Sequence, residues 1–125
     1  MEIRRLSWLG IRTDRFEEMT AFLEGAMGLR KEISEPGRAM YRLPIGDPVD
    51  VFDAVDERYQ HFTTGPVVGF LVDDVEAAAS ELEAAGGELV GPVHRGEGFM
   101  WAHFRAPDGN LYELQGSDPA ASSTA

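Results

Sequence analysis

Two stretches of the chain align with each other: residues 9–17 (LGIRTDRFE) and residues 68–76 (VGFLVDDVE). The offset between them is 59 residues (68 minus 9), and it continues to a glycine at position 28 and another at position 87. Each copy has an apolar strand, an Asp, an amphipathic helix and a closing glycine in the same order. A duplicated unit determines the architecture and often places a binding site near the axis between the copies. The sequence therefore predicts a fold of two similar halves.

Hydrophobic periodicity and turn residues predict the order βαβββ in each half. The predicted strands of the first half are residues 3–13, 29–35, 38–43 and 49–55. Those of the second half are residues 67–72, 88–93, 99–105 and 110–115. One helix follows the first strand of each half, with Asp14 as the expected cap in the first half and Asp73 or Asp74 in the second. The expected class is α+β.

Composition limits the partners and the compartment. The chain has 125 residues, 43% of them hydrophobic, which suits one domain over residues 1–116, with repeats at about 3–55 and 66–116 and a flexible tail at 117–125. Lys and Arg number 11 against 22 acidic residues, so the net charge of −11 disfavours nucleic acid and anionic membranes as partners. Cys is absent and no signal peptide or membrane span is visible. We expect a soluble, cytoplasmic protein.

The closing segment at residues 104–114 (FRAPDGNLYEL), together with the two aligned stretches, resembles the vicinal oxygen chelate superfamily. That group includes glyoxalase I, extradiol dioxygenases, methylmalonyl-CoA epimerase and the fosfomycin- and bleomycin-resistance proteins. The resemblance covers roughly residues 3–116. It implies a glyoxalase-like half-barrel sheet with the helices outside, and a homodimer. One fold of this kind supports many chemistries, so the site must be argued separately.

In metal-dependent members of the superfamily four side chains converge inside the curved sheet. The resemblance and the repeat place these positions at Trp8, Asp50, Val67 and Glu113. Indole nitrogen is only a hydrogen-bond donor and Val has no donor atom for a metal, so two carboxylates remain where four ligands are needed. The sequence therefore predicts no metal and no other cofactor.

One alternative keeps a metal or an acid–base role. Strand alternation places Trp101, His103 and Arg105 on one face, and Glu113 on the corresponding face of the next strand. A metal site of Asp50, His103, Glu113 and water is therefore conceivable, and the same three residues are the candidate catalytic groups. The commoner role for His103 is a cavity-lining imidazole bonded to a carboxylate.

Three classes of function remain open: a binding protein, an enzyme and an interaction module without a ligand. Loss of two ligand positions favours a metal-free protein that binds a planar or amphipathic small molecule in an aromatic-lined groove between Trp8 and Trp101. The enzyme alternative is a lyase, isomerase or dioxygenase that uses Asp50, His103 and Glu113. The expected lining of the groove is Trp8, Met40, Arg42, Phe52, Met100, Trp101 and His103.

Overall fold

A computed structural model describes residues 1–63 and 65–122. The chain divides into two compact units. The first unit is Trp8–Val67, and the second is Met1–Ser7 together with the chain from Val68 onward. The first strand, β1 (Arg5–Thr13), contributes residues to both units. None of the helices in the described ranges is long and apolar enough to cross a bilayer.

The first unit has the predicted βαβββ order. Its sheet has the strand order β2-β3-β4-β1, in which β1 and β4 are parallel and the other neighbours are antiparallel. After β1 its elements are α1 (Phe16–Glu24), β2 (Arg30–Glu35), β3 (Arg38–Arg42), β4 (Pro48–Asp53) and a short 3-10 helix (Glu57–Tyr59).

The second unit repeats this order. Its sheet has the strand order β5-β8-β7-β6, with β5 and β8 parallel and the other pairs antiparallel. Its elements are β5 (Val67–Leu71), α2 (Val75–Ala84), β6 (Glu88–Gly96), β7 (Phe99–Arg105), β8 (Leu111–Ser117) and a short helix α3 (Pro119–Ser122). The α+β class and the two βαβββ units are confirmed.

Each unit packs its helix on one face of its own sheet. In the first unit Leu9 and Ile11 pack against a buried cluster that contains Leu23 of α1 and Tyr41 of β3. In the second unit the buried cluster contains Val75 of α2, and Met100, Ala102 and Leu114 of the sheet. Successive side chains of a strand point to opposite faces. The residues between these apolar positions, such as Gly10 and Trp101, therefore lie on the face away from the helix.

Only one of the expected helix caps is correct. Asp74 caps α2, because its side chain accepts a hydrogen bond from the Ala77 N–H at 3.0 Å. Asp14 does not cap α1, since the helix begins at Phe16 and Arg15 precedes it without a side-chain cap. The Arg15 N–H instead donates to the Thr13 hydroxyl oxygen at 3.0 Å. The Thr13 hydroxyl, two residues before Arg15, is thus the side-chain acceptor at the start of α1 in place of the predicted Asp14 carboxylate.

The segment after residue 116 contains defined structure where a flexible tail is predicted. Strand β8 continues to Ser117, and Pro119 begins α3. Asp118 is buried, its N–H donates to the Gly98 carbonyl, and its carboxylate accepts a 2.6 Å bond from Arg95. Residues 123–125 of the predicted tail lie outside the described residues.

Candidate functional site

Two buried carboxylates occupy equivalent positions in the two units. Asp50 of β4 lies opposite Gly10 of β1, and Glu113 of β8 lies opposite Gly69 of β5. Each carboxylate residue is only 5% exposed. The glycines are 59 residues apart (69 minus 10), which is the offset of the sequence repeat. The two units thus present one acidic side chain each at the position that the repeat predicts.

Both oxygens of Asp50 accept hydrogen bonds within the first unit. Trp8 Nε1 donates to Oδ2 at 2.7 Å, and Arg38 Nε donates to Oδ1 at 2.9 Å. Arg38 is mostly buried and also forms a longer ion pair with Glu35. A buried carboxylate is stable when it is paired and hydrogen-bonded, and these two donors meet that requirement. Asp50 is therefore part of an internal network.

The Trp8 ring lies flat over its own strand. A Cβ atom at Gly10 would fall 2.0 Å from Trp8 Cη2, so only glycine leaves room for the indole there. The Trp8 ring belongs to a group of four aromatic rings that contact one another. We call this group the Trp8 cluster; it consists of Trp8, Phe52, Tyr59 and Phe62. Burial raises the pKa of the Tyr59 hydroxyl. Trp8 thus fills space with its ring and donates to Asp50 with its nitrogen.

The carboxylate of the second unit has a different partner. His103 Nε2 and Glu113 Oε1 lie 3.0 Å apart across β7 and β8, and both residues are buried. Burial lowers the pKa of His103 to about 4. At pH 7 the imidazole is therefore neutral. In the tautomer with the proton on Nε2, this N–H donates to the Glu113 carboxylate and Nδ1 is an acceptor.

A second histidine joins this group. His94 of β6 lies opposite Trp101 of β7, and their rings stack with centroids 5.7 Å apart and planes 22° apart. The His94 ring is also 6.3 Å from that of His103. We call His94, Trp101, His103 and Glu113 the Trp101 face. It combines two flat π surfaces with a buried imidazole–carboxylate pair.

Sequence analysis assigned no role to His94, Arg38, Tyr59 or Phe62. His94 is brought beside Trp101 by a register shift in the β6–β7 pair between Val90 and His94. Arg38 was detectable in part, since it lies two residues before Met40 and therefore on the same face of β3.

The structure places the residues of the expected groove lining in different surroundings. Met40 and Phe52 are buried; Met40 lies opposite Asp50, and Phe52 belongs to the Trp8 cluster. Arg42 is exposed, and it pairs with Glu32 at 2.7 Å and donates to the Gly46 carbonyl. Met100 is a correction: it is packed in the core with α2, because it alternates with Trp101 along β7. The groove between the two indoles stays a prediction.

The residues at the four superfamily ligand positions do not fit a metal. Trp8 Nε1 is a donor already bonded to Asp50, and Val67 has no ligand atom. Asp50 has both oxygens engaged by Trp8 and Arg38. Across residues 1–63 and 65–122, no three His, Asp or Glu side chains form a group that could hold a metal ion. Of the alternative triad, His103 and Glu113 lie together in the second unit, and Asp50 belongs to the first unit.

Comparisons with known proteins identify the family. The profile of the Glyoxalase/Bleomycin resistance protein/Dioxygenase superfamily matches residues 5–114. No curated protein sequence is significantly similar to the chain.

Solved structures show the same fold at low identity. Methylmalonyl-CoA epimerase from Mycobacterium tuberculosis is 19% identical, with a TM-score of 0.70 over 97% of this chain and 93% of that one. A glyoxalase/bleomycin resistance protein/dioxygenase superfamily member from Vibrio splendidus is 14% identical, with a TM-score of 0.70 over 93% and 100%. A Streptomyces coelicolor methylmalonyl-CoA epimerase variant in complex with 2-nitronate-propionyl-CoA is 20% identical, with a TM-score of 0.67 over 93% and 99%. The chain therefore belongs to the Glyoxalase/Bleomycin resistance protein/Dioxygenase superfamily.

Proposed function

We propose that this protein binds a small planar or amphipathic organic molecule without a resident metal ion. The observation that carries the proposal is the state of Asp50, whose two carboxylate oxygens accept bonds from Trp8 and Arg38. A metal ion at Asp50 would compete with these two donors for the carboxylate, and displacement of Arg38 would leave its charge without its buried partner, which is costly. The sequence prediction of a metal-free protein rests on Trp8 and Val67, whose side chains have no atom that could bind a metal.

The Trp101 face supports the choice of a planar ligand. Its indole and the stacked His94 imidazole offer flat π surfaces, against which aromatic groups gain about 0.5–1.5 kcal/mol beyond area burial. Beside them, the Glu113 carboxylate is an acceptor, and the neutral His103 ring donates to it from Nε2 and has an acceptor at Nδ1. A ligand with a flat ring and a hydroxyl or amide donor matches this combination.

Tryptophan fluorescence tests the proposal directly. The chain has two Trp residues, so the W8F variant leaves Trp101 as the single reporter. We expect saturable quenching by a flavonoid-like phenol, a planar antibiotic or an acyl metabolite, and weaker binding after H94A. The matched control is H61A, which changes a histidine outside the Trp101 face. If no compound of the three classes quenches Trp101, or if H94A and H61A have equal effects, the proposal is wrong.

A second candidate, acid–base catalysis, is favoured by the buried His103–Glu113 pair. A carboxylate shielded from water and hydrogen-bonded to a neutral imidazole is suited to accept a proton from carbon. The similar structures include methylmalonyl-CoA epimerases, which suggests an acyl thioester with an acidic α-hydrogen as substrate. Exchange of that hydrogen in deuterated water, lost in E113Q and kept in E97Q, would support this function. No exchange above the uncatalysed rate would exclude it for the thioester tested.

The homodimer and the cytoplasmic location stay predictions from the sequence. A symmetric dimer is the commonest assembly of soluble proteins, and the resemblance to the superfamily gives the same expectation. Sedimentation at micromolar concentration tests the dimer. A single monomeric species would contradict it.

A further inference from the structure

We propose that the first unit binds the carboxylate of a small organic acid in a cleft beside Arg12. The cleft has a volume of about 410 Å³ and is lined by Arg12, Thr13, Asp14, Ala54, Phe62 and Thr63. The cleft is open to solvent and its lining is mostly polar. All six residues belong to the first unit, so the proposal does not depend on binding at the Trp101 face.

Backbone carbonyl groups hold the Arg12 guanidinium in one orientation. Nη2 donates to the Ala54 carbonyl at 3.0 Å, and Nη1 donates to the Phe62 carbonyl at 3.4 Å. The Ala54 N–H in turn donates to the Thr13 carbonyl at 2.8 Å, which fixes this loop on β1. Each Nη atom keeps one further N–H for a ligand. A guanidinium oriented in advance loses little freedom when it binds a carboxylate.

The positive charge of Arg12 is not neutralised by a carboxylate. Other arginines of the unit form ion pairs, for example Arg38 with Asp50 and Arg58 with Asp56. Arg12 forms none with any residue of the described ranges 1–63 and 65–122, and its Nε there is buried without a hydrogen-bond partner. Carbonyl dipoles orient the group but add no negative charge. A bound anion would supply the missing charge and accept from the two remaining Nη donors.

The rest of the lining selects the kind of anion. Thr13 Oγ1 accepts from the Arg15 N–H, so its own hydroxyl proton is available to donate. Phe62 is buried beside the cleft, and the lining of the cleft is mostly polar. Asp14 is exposed at the cleft and repels a second negative charge. The chemistry therefore favours a monoanionic carboxylate over a doubly charged phosphate.

Nuclear magnetic resonance titration of the full chain tests the site with three probes of similar shape. Benzoate carries one negative charge, benzamide none and phenylphosphonate up to two. We expect benzoate to shift the Arg12 side-chain and Thr13 amide resonances saturably, and the other two probes to bind at least about tenfold more weakly, the scale of one charged hydrogen bond.

Three charged residues provide the variants. R12Q should weaken benzoate binding roughly tenfold or more, whereas R105Q, which removes an arginine outside the cleft that donates to the Gly109 carbonyl, should leave it within about twofold. Because R12Q also removes two loop contacts, D14N gives a second test that does not disturb the guanidinium. It should tighten benzoate binding and raise the affinity for phenylphosphonate most.

Distinct results would overturn the proposal. Benzoate that causes no saturable shift at Arg12 or Thr13 contradicts it, as does equal affinity for benzoate and benzamide. If R12Q does not fold, weaker benzoate binding by D14N than by the natural chain still contradicts it. Failure here, with Trp101 quenching intact, leaves the proposed function standing, and the reverse outcome leaves this cleft standing.

Discussion

Replacing Trp8 by Phe should destabilise the protein chiefly through Asp50. The change removes the Nε1–H that donates to Asp50 Oδ2 at 2.7 Å and keeps most of the ring. A hydrogen bond to a charged group contributes about 1.5–3 kcal/mol to the free energy of unfolding. Some ring contact with Phe52 and Phe62 is also lost, at about 0.5–1 kcal/mol. We therefore expect W8F to lower the free energy of unfolding by about 2–4 kcal/mol.

A double-mutant cycle separates the hydrogen bond from the packing. Urea unfolding followed by circular dichroism is measured for the natural chain, W8F, D50N and the double variant. We expect a coupling energy of about 2 kcal/mol between the two positions. W101F is the matched control, because within the described residues its indole donates to no carboxylate, and its coupling to D50N should be below about 0.5 kcal/mol. Equal coupling for W8F and W101F would refute the reasoning.

Three further predictions concern packing, pH and the C-terminal segment. G10A should lower the free energy of unfolding by about 1–3 kcal/mol, because the added Cβ meets the Trp8 ring. The loss should be much smaller in a variant in which Trp8 is already Ala. Equal losses in both backgrounds would contradict the observed ring position. The pKa of His103 is about 4 in the folded protein and 6.5 ordinarily, so the unfolded chain binds more protons between these pH values. The free energy of unfolding therefore falls by about 3 kcal/mol as the pH decreases from 6.5 to 4. H103Q should lack this part of the pH dependence in urea unfolding. An unchanged profile would exclude His103 as its source. D118N should increase amide hydrogen exchange at position 118 and at Ala120 more than exchange in α1, because Asp118 bonds to Arg95, its N–H donates to the Gly98 carbonyl and its carboxylate accepts from the Ala120 N–H. Uniform exchange would contradict a local role.

Most of the fold follows from the sequence because local patterns agree with the tertiary structure. Alternation of Leu9 and Ile11 with Trp8 and Gly10 determines which face of β1 meets the helix. The repeat offset locates Asp50 and Glu113 at equivalent positions before any contact is known. These inferences need only the period of a strand and a register.

The partners within the site depend on contacts that local patterns do not contain. Arg38 meets Asp50 across neighbouring strands, 12 residues away in the chain. His94 reaches Trp101 only because the β6–β7 register shifts, which no residue spacing reveals. Met100 was placed on the wrong face although its alternation with Trp101 predicts the helix side. The Asp14 cap was wrong because Thr13 provides a competing acceptor.

Titration calorimetry of the full chain with Zn²⁺, Ni²⁺, Mn²⁺ and Fe²⁺ tests the central claim of a metal-free binding protein most directly. Since Trp8 and Arg38 donate to both oxygens of Asp50, we predict that any binding has a dissociation constant above about 10 μM, which is weaker than about −7 kcal/mol. Stoichiometric binding of any of these ions, abolished by D50N or E113Q and unaffected by E97Q, would contradict the account.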